Sequence, residues 1–166
     1  FRIYDALVET DGFTFIAVGR PESAGCYCKI NSYLKDIISI LSEEFDYVVI
    51  DGEAGIEQIN RRVMEKVTHL ILITDTSKKG RDVCATIKNV ADNLVMYEKI
   101  GVIVNRMNDE AVLQYLDFDG VPVIATIGDD KNLTKFDLTG ENVFNLPDES
   151  EVVRGVKKAL SAMKII

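Results

Sequence analysis

The chain has 166 residues, 47% hydrophobic and 28% charged, a mix that fits one globular domain with a sizeable core. Its 19 basic and 27 acidic residues leave a formal net charge of −8, which argues against a nonspecific nucleic-acid binder with a basic face. No apolar run has membrane-spanning length, no secretory signal opens the chain, and three cysteines do not make a disulfide framework, so a cytoplasmic setting is the simpler assignment.

Taken in order, residues 1–9 are mostly apolar without alternation and read as a short helix or irregular segment. Asp11-Gly12 makes a turn, and Phe13 to Val18 reads as a strand closed by Gly19. The loop from Arg20 to Cys28 leads to a helix that Asn31 or Ser32 can cap. Leu34, Ile37, Ile38 and Leu41 supply the apolar face of that helix. Phe45 to Ile50 is an apolar, β-branched run, the pattern of a buried parallel strand. A helix is expected over Gln58 to Lys66 and a strand over Thr68 to Thr74. Asp75-Thr76-Ser77 carries cap chemistry for a helix near 80–90. Further strands are expected at Ile100 to Val104 and Val121 to Ile127, with a short helix at Val112 to Leu116 between them. Gly128-Asp129-Asp130 opens another loop, and 149–164 forms the last helix. Strands alternate with helices, which predicts an α/β fold: a mainly parallel, doubly wound sheet with helices on both faces, in a single domain.

Three places carry chemistry. The stretch Asp51-Gly52-Glu53-Ala54-Gly55-Ile56-Glu57 follows the expected strand, where ligands sit in doubly wound sheets. Asp51 there could reach a magnesium ion or an attacking water, and the glycines permit a bend or a movement. An acidic strand end followed by an ordinary turn is the plain alternative. Cys26-Tyr27-Cys28 offers two thiols; two do not fill a tetrahedral site, but a second copy of the chain would supply the other two. A pair of unliganded thiols is the alternative. Asn105-Arg106 follows Gly101-Val102-Ile103-Val104, and an asparagine side chain suits a purine edge as well as it suits a turn. His69, the single histidine, stands among Leu70, Ile71 and Leu72 and reads as a strand residue, which leaves no Ser-His or Cys-His scheme. Cys84 reads as core. The phosphate-cradling pattern G-x-x-x-x-G-K-[ST] does not occur in these 166 residues.

The order of these pieces, with Val18-Gly19-Arg20-Pro21-Glu22, Gly25-Cys26-Tyr27-Cys28, Tyr47 to Glu57, Asp75 to Gly80 and Val104-Asn105-Arg106, resembles the CooC-type carbon monoxide dehydrogenase maturation ATPases. These nickel-insertion proteins belong with MinD, plasmid-partition ATPases and the nitrogenase iron protein among the deviant P-loop NTPases. The resemblance covers almost the whole chain. It implies a P-loop NTPase-like fold that dimerises around ATP, with ATP or ADP and magnesium as ligands. By resemblance, Asp51 is the Walker B aspartate and Gly52 to Gly55 the γ-phosphate switch, so Asp51 and Gly55 are the catalytic candidates. Asn105 is the base-recognising asparagine. Arg106 and Asp130 join it on the nucleotide side, Asp130 within Ile127-Gly128-Asp129-Asp130, where Gly128 stands in place of a frequent proline. Cys26 and Cys28 look like the metal pair, shared across a homodimer and holding nickel or zinc for carbon monoxide dehydrogenase or a related nickel enzyme.

The family's P-loop strand precedes the stretch matched here, so the chain is expected to be the C-terminal part of a longer ATPase and to be inactive alone. The alternative is a MinD- or partition-type positioning ATPase that acts by membrane or partner binding. For it, the basic amphipathic stretch with Val152, Val153, Val156, Ala159, Leu160 and Met163 is the candidate surface helix. Docking of that same face on the sheet is the ordinary expectation, and membrane and nucleic-acid partners are not expected.

Overall fold

The computed structural model describes residues 7–17, 27–52 and 66–166, with 27–33 as backbone alone. The chain divides into two compact units, Phe1–Met64 and Glu65–Ile166.

In the first unit, β1 (Val8–Thr10) and β2 (Phe13–Phe15) form an antiparallel hairpin in which Val8 faces Phe15 and Thr10 faces Phe13. Gly12 sits in its turn at φ 93°, a value glycine adopts without steric cost. Residues 8 and 9 are therefore strand, not helix: the Asp11-Gly12 turn gives Val8–Thr10 a partner. The expected strand from Phe13 stops at Phe15; residue 18 lies outside the described residues. Helix α1 spans Tyr27–Glu44. Asn31 and Ser32 lie inside it and do not cap it, because the helix starts several residues earlier. Ile37 and Leu41, four apart, form its buried stripe.

Phe45 to Ile50 is not a strand. These residues form no regular element, and Val49 is 94% exposed and Tyr47 68%. An apolar, β-branched run becomes a strand only where a neighbouring edge satisfies its backbone, and no described strand pairs with this one. Of the helix expected over Gln58 to Lys66, residues 58–65 lie outside the described residues, as do Cys26 and Gly55, and Lys66 belongs to a strand instead, where it pairs with Met96.

The second unit holds the α/β core. β3 (Lys66–Thr74), β4 (Met96–Asn105) and β5 (Val123–Ile127) form a parallel sheet in that order. Helix α2 (Lys78–Leu94) connects β3 to β4. A 3₁₀ segment at Glu110–Tyr115 lies before β5, where a short helix was expected at 112–116. Helix α3 (Lys131–Thr139), a 3₁₀ turn at Val143–Asn145 and helix α4 (Glu151–Ala162) follow.

The two faces of the sheet bury separate clusters, as strand alternation requires. Leu72, Val102 and Val104 pack with Cys84 of α2, Met107, Phe118 and Val121 on one face. Ile103, Ile124, Ala125 and Ile127 pack with Ala159 of α4 and Met163 on the other. Helices therefore cover both faces, the doubly wound arrangement of a P-loop NTPase-like α/β fold. Between Val102 and Ile103 the β4–β5 register shifts, so that β5 carries one extra residue, Ile124. Its side chain lies over Gly101, where a Cβ would meet Ile124 Cγ2 at 2.6 Å.

Helix α4 docks on β5 through small residues. A Cβ at Gly155 would lie 2.4 Å from Ile127 Cγ1. The Met163 carbonyl, at the end of α4, receives Lys99 Nζ and lies 3.2 Å from His69 Nε2. A cation at a helix C-terminus complements the exposed carbonyls there. His69 thus serves as a strand residue that helps anchor the last helix, and Cys84 is core, where burial pushes its thiol pKa up. Among the described residues no helix is long and apolar enough to cross a membrane.

Candidate functional site

Parallel strands place all their carboxyl ends on one edge of a sheet. Thr74 pairs with Val104, and Asn105 pairs with Ile127, so β3, β4 and β5 end nearly level. Asn105 ends β4, and the loops that leave the strands carry Asp75 to Ser77, Arg106 to Asp109, and Gly128 to Asp130. This edge is where doubly wound sheets bind ligands. It brings together three residues singled out in the sequence: Asn105, Arg106 and Asp130.

Asn105 is the last residue of β4, and its Oδ1 accepts the backbone N–H of Arg106 at 2.9 Å. Arg106 takes φ 55°, the left-handed region that non-glycine residues enter at a cost. The chain turns sharply here, and the exposed guanidinium is close enough to Asp75 to stabilise its charge. Asp75 is held below the ordinary carboxylate range chiefly by the hydroxyl and amide of Ser77, whose N–H reaches Asp75 Oδ1 at 2.9 Å. Ser77 in turn caps α2 by accepting the N–H of Gly80 at 2.9 Å. The α2 terminus can come this close because residue 80 is glycine: a Cβ there would lie 2.4 Å from Thr74 Oγ1.

Asp130 is buried and its carboxylate is fully engaged. Oδ1 accepts the amides of Asn132 (2.8 Å) and Leu133 (3.0 Å), which caps α3. Oδ2 accepts the amide of Val152 at 2.9 Å, in the first turn of α4. Burial raises its pKa, but the amides of Val152, Leu133, Asn132 and Glu151 outweigh that and hold it low. Asp130 therefore joins two helix N-termini beneath the loop. Helix α3 was not expected from the sequence, because only Leu133 and Phe136 mark its apolar face; its signals are the Asp130 cap and Gly140, which ends it at φ 69°.

Two further residues complete the edge. Asn108 Nδ2 donates to Asp129 Oδ2 at 2.6 Å, and Asp129 N donates back to Asn108 Oδ1 at 2.9 Å. Beside this pair opens a cavity of about 440 Å³, bounded by Asn108, Gly128 and Asp129 from the loops and by Glu151, Arg154 and Lys158 from α4. That volume lies in the range of small-molecule sites. Asn108 is not marked in the sequence, since no local pattern signals a pairing 21 residues apart, and Arg154 and Lys158 read there only as the basic side of the amphipathic last helix.

The other candidates lie in the first unit. Asp51 is exposed and follows the irregular stretch 45–50. Cys28 falls in the first turn of α1, within the part described as backbone alone. Cys26 and Gly55 lie outside the described residues. Among the described residues, no group of three or more His, Cys, Asp or Glu side chains is placed to hold a metal ion.

No family model matches the chain. It is 37% identical, over 99% of its length, to an uncharacterized ATP-binding protein of Methanocaldococcus jannaschii, and covers 66% of that protein. A second uncharacterized ATP-binding protein of the same organism is 29% identical over 82% of the chain, which covers 56% of it. The carbon monoxide dehydrogenase accessory protein CooC of Rhodospirillum rubrum is 25% identical over 80% of the chain, which covers 55% of it. The chain thus spans between 55% and 66% of these relatives and is similar, over most of its own length, to proteins described as ATP-binding or as an accessory to carbon monoxide dehydrogenase.

Proposed function

We propose that this chain is the nucleotide-sensing, base-binding and metal-carrying part of an ATP-dependent metallochaperone, of the kind that matures carbon monoxide dehydrogenase or a related nickel enzyme. The observation that carries the reading is the similarity, over nearly the whole chain, to ATP-binding proteins, together with the more distant similarity to CooC. The loops at the carboxyl edge of the parallel sheet support it, because they hold Asn105, Arg106 and Asp130 where such folds take ligands.

In this reading Asp51 holds magnesium through water, and Gly52 to Gly55 respond to the γ-phosphate. Asn105 presents its amide to the base, while the Arg106 charge lies beside the nucleotide. Asp130 acts from below, by fixing the two helix ends that support the loop. Magnesium supplies charge neutralisation on the phosphates when it is bound. Cys26 and Cys28 carry the cargo metal, nickel or zinc, with the same pair of a second copy completing the ligand set about a twofold axis. The chain alone is expected to hydrolyse ATP negligibly, since phosphoryl transfer depends on a glycine-rich lysine loop that these 166 residues do not contain.

The experiment is metal and nucleotide binding side by side. Wild-type chain should bind ADP with magnesium and one nickel or zinc per two chains, and Cys26→Ser/Cys28→Ser should keep the nucleotide and lose the metal. Unchanged metal stoichiometry in that variant would sink the metallochaperone role. The positioning-ATPase reading has less behind it: part of the α4 face proposed for a membrane is occupied, with Ala159 and Met163 buried against the sheet and Val156 exposed.

A further inference from the structure

We infer that Asn108 is a positioning residue, whose reciprocal bonds with Asp129 set the separation of the two loops that flank the base. The inference rests on the nucleotide reading of this edge. It starts from the ends of β4 and β5. The last ladder pair is Asn105 with Ile127, and beyond it the two chains would be free to part. They do not part. Met107 N donates to Ile127 O at 2.9 Å, and one residue later Asn108 engages Asp129 with both ends of its amide. Three hydrogen bonds thus extend the contact past the sheet.

The residue type fits the task. Asparagine offers a donor and an acceptor on one short side chain, so it can receive a backbone N–H and donate to a carboxylate at once. Aspartate at this position would set two carboxylates against each other. The neighbour fits as well: a Cβ at residue 128 would lie 3.3 Å from Asn108 Oδ1 and 3.5 Å from Met107 O, so Gly128 leaves room for the close approach. What the bonds hold is specific. On one side is the turn of Asn105 and the left-handed Arg106, with Asn105 Oδ1 taken by the next amide. On the other is Asp130, tied to α3 and α4. Among the described residues Asn105 Nδ2 donates to no other group, so it is open to solvent or to a ligand. Its position relative to the opposite loop depends on the Asn108–Asp129 bonds.

The test uses the full chain and three variants: Asn108→Ala, Asn108→Asp, and Asn108→Asp combined with Asp129→Asn. The double variant rebuilds the pair with the roles exchanged, since a carboxylate at 108 can accept both from the new amide and from the residue 129 N–H. Binding of ADP and GDP is followed by NMR titration, and amide exchange is read at Met107 and Asp129. Both single variants should lower the preference for ADP over GDP about 5-fold, the scale of one net hydrogen bond, and speed exchange at Asp129. The double variant should restore both. Faster exchange with an unchanged ADP-to-GDP ratio would make the pair a loop brace only and overturn its positioning role. Wild-type chain that binds neither nucleotide overturns the nucleotide reading itself, a different result from the first.

Discussion

Asp130 gives the sharpest energetic test, because one carboxylate holds two helix ends. In Asp130→Ala the N-cap of α3 disappears, which costs about 1 kcal/mol, range 0.5–2. The Val152 N–H also loses its acceptor, in a place where Asp130 is only 8% exposed. A buried donor left unsatisfied costs about 1–3 kcal/mol, so the total is roughly 2–4 kcal/mol. Asp130→Asn separates the two parts. It can keep an oxygen on Asn132 and Leu133, but it turns an N–H toward Val152, so it should lose roughly 1–2 kcal/mol.

The pH dependence follows from the same bonds. The folded-state pKa of Asp130 is lowered, so its contribution is fully present above the unfolded value of about 3.9. It is lost as pH falls through the folded pKa, and Asp130→Asn should lack that loss. The assay is urea unfolding followed by far-UV circular dichroism at several pH values, since the chain has no tryptophan. A cost below about 0.5 kcal/mol for Asp130→Ala would refute the reasoning. So would wild-type acid sensitivity in Asp130→Asn.

Three other outcomes are expected. Gly155→Ala places a methyl group 2.4 Å from Ile127 Cγ1, so the α4–β5 contact should lose about 1–2 kcal/mol after the gain in helix propensity, read by the same unfolding curves. Arg106→Gly removes the left-handed strain at φ 55° and the charge together; stability should hold or rise by less than about 1 kcal/mol while ADP binding weakens in titration. Cys84→Ser puts a hydroxyl into the core cluster around Leu72 and Val102 and should destabilise the second unit by about 1–3 kcal/mol without altering metal stoichiometry.

How much of this was legible in the sequence depends on what each element packs against. The strands of the second unit were readable because their residues carry the whole signal. Leu70 to Ile73 and Gly101 to Val104 are continuous apolar runs, the second buried throughout and the first buried at Leu72 and partly buried at Leu70 and Ile71, and such a run has few other uses. Ser77 as the cap of α2 was readable for the same local reason. Phe45 to Ile50 has an equally good run and is not a strand. The difference lies outside the run: β4 has β3 and β5 beside it, and 45–50 has no described partner. Pattern specifies which face of a strand is apolar, whereas a strand exists only where an edge accepts it.

The site divides along the same line. Asn105 and Arg106 could be located from the sequence because they directly follow a strong strand, and a strand's carboxyl end is a fixed place in this architecture. Asp130 could be located as a loop residue, but its three amide partners come from two helices, one of them 22 residues away. The partner of Asn108 is likewise set only by the parallel pairing of β4 with β5. The carboxylate with the strongest local advertisement, Asp51 between a strand-like run and two glycines, has no described backbone ladder to orient it. The one with a modest advertisement, Asp130, is among the most constrained polar side chains in the second unit. Acidic residues at strand ends are therefore told apart by the number of backbone amides that converge on them. That number is a property of the packing between elements, which no single stretch of this sequence contains.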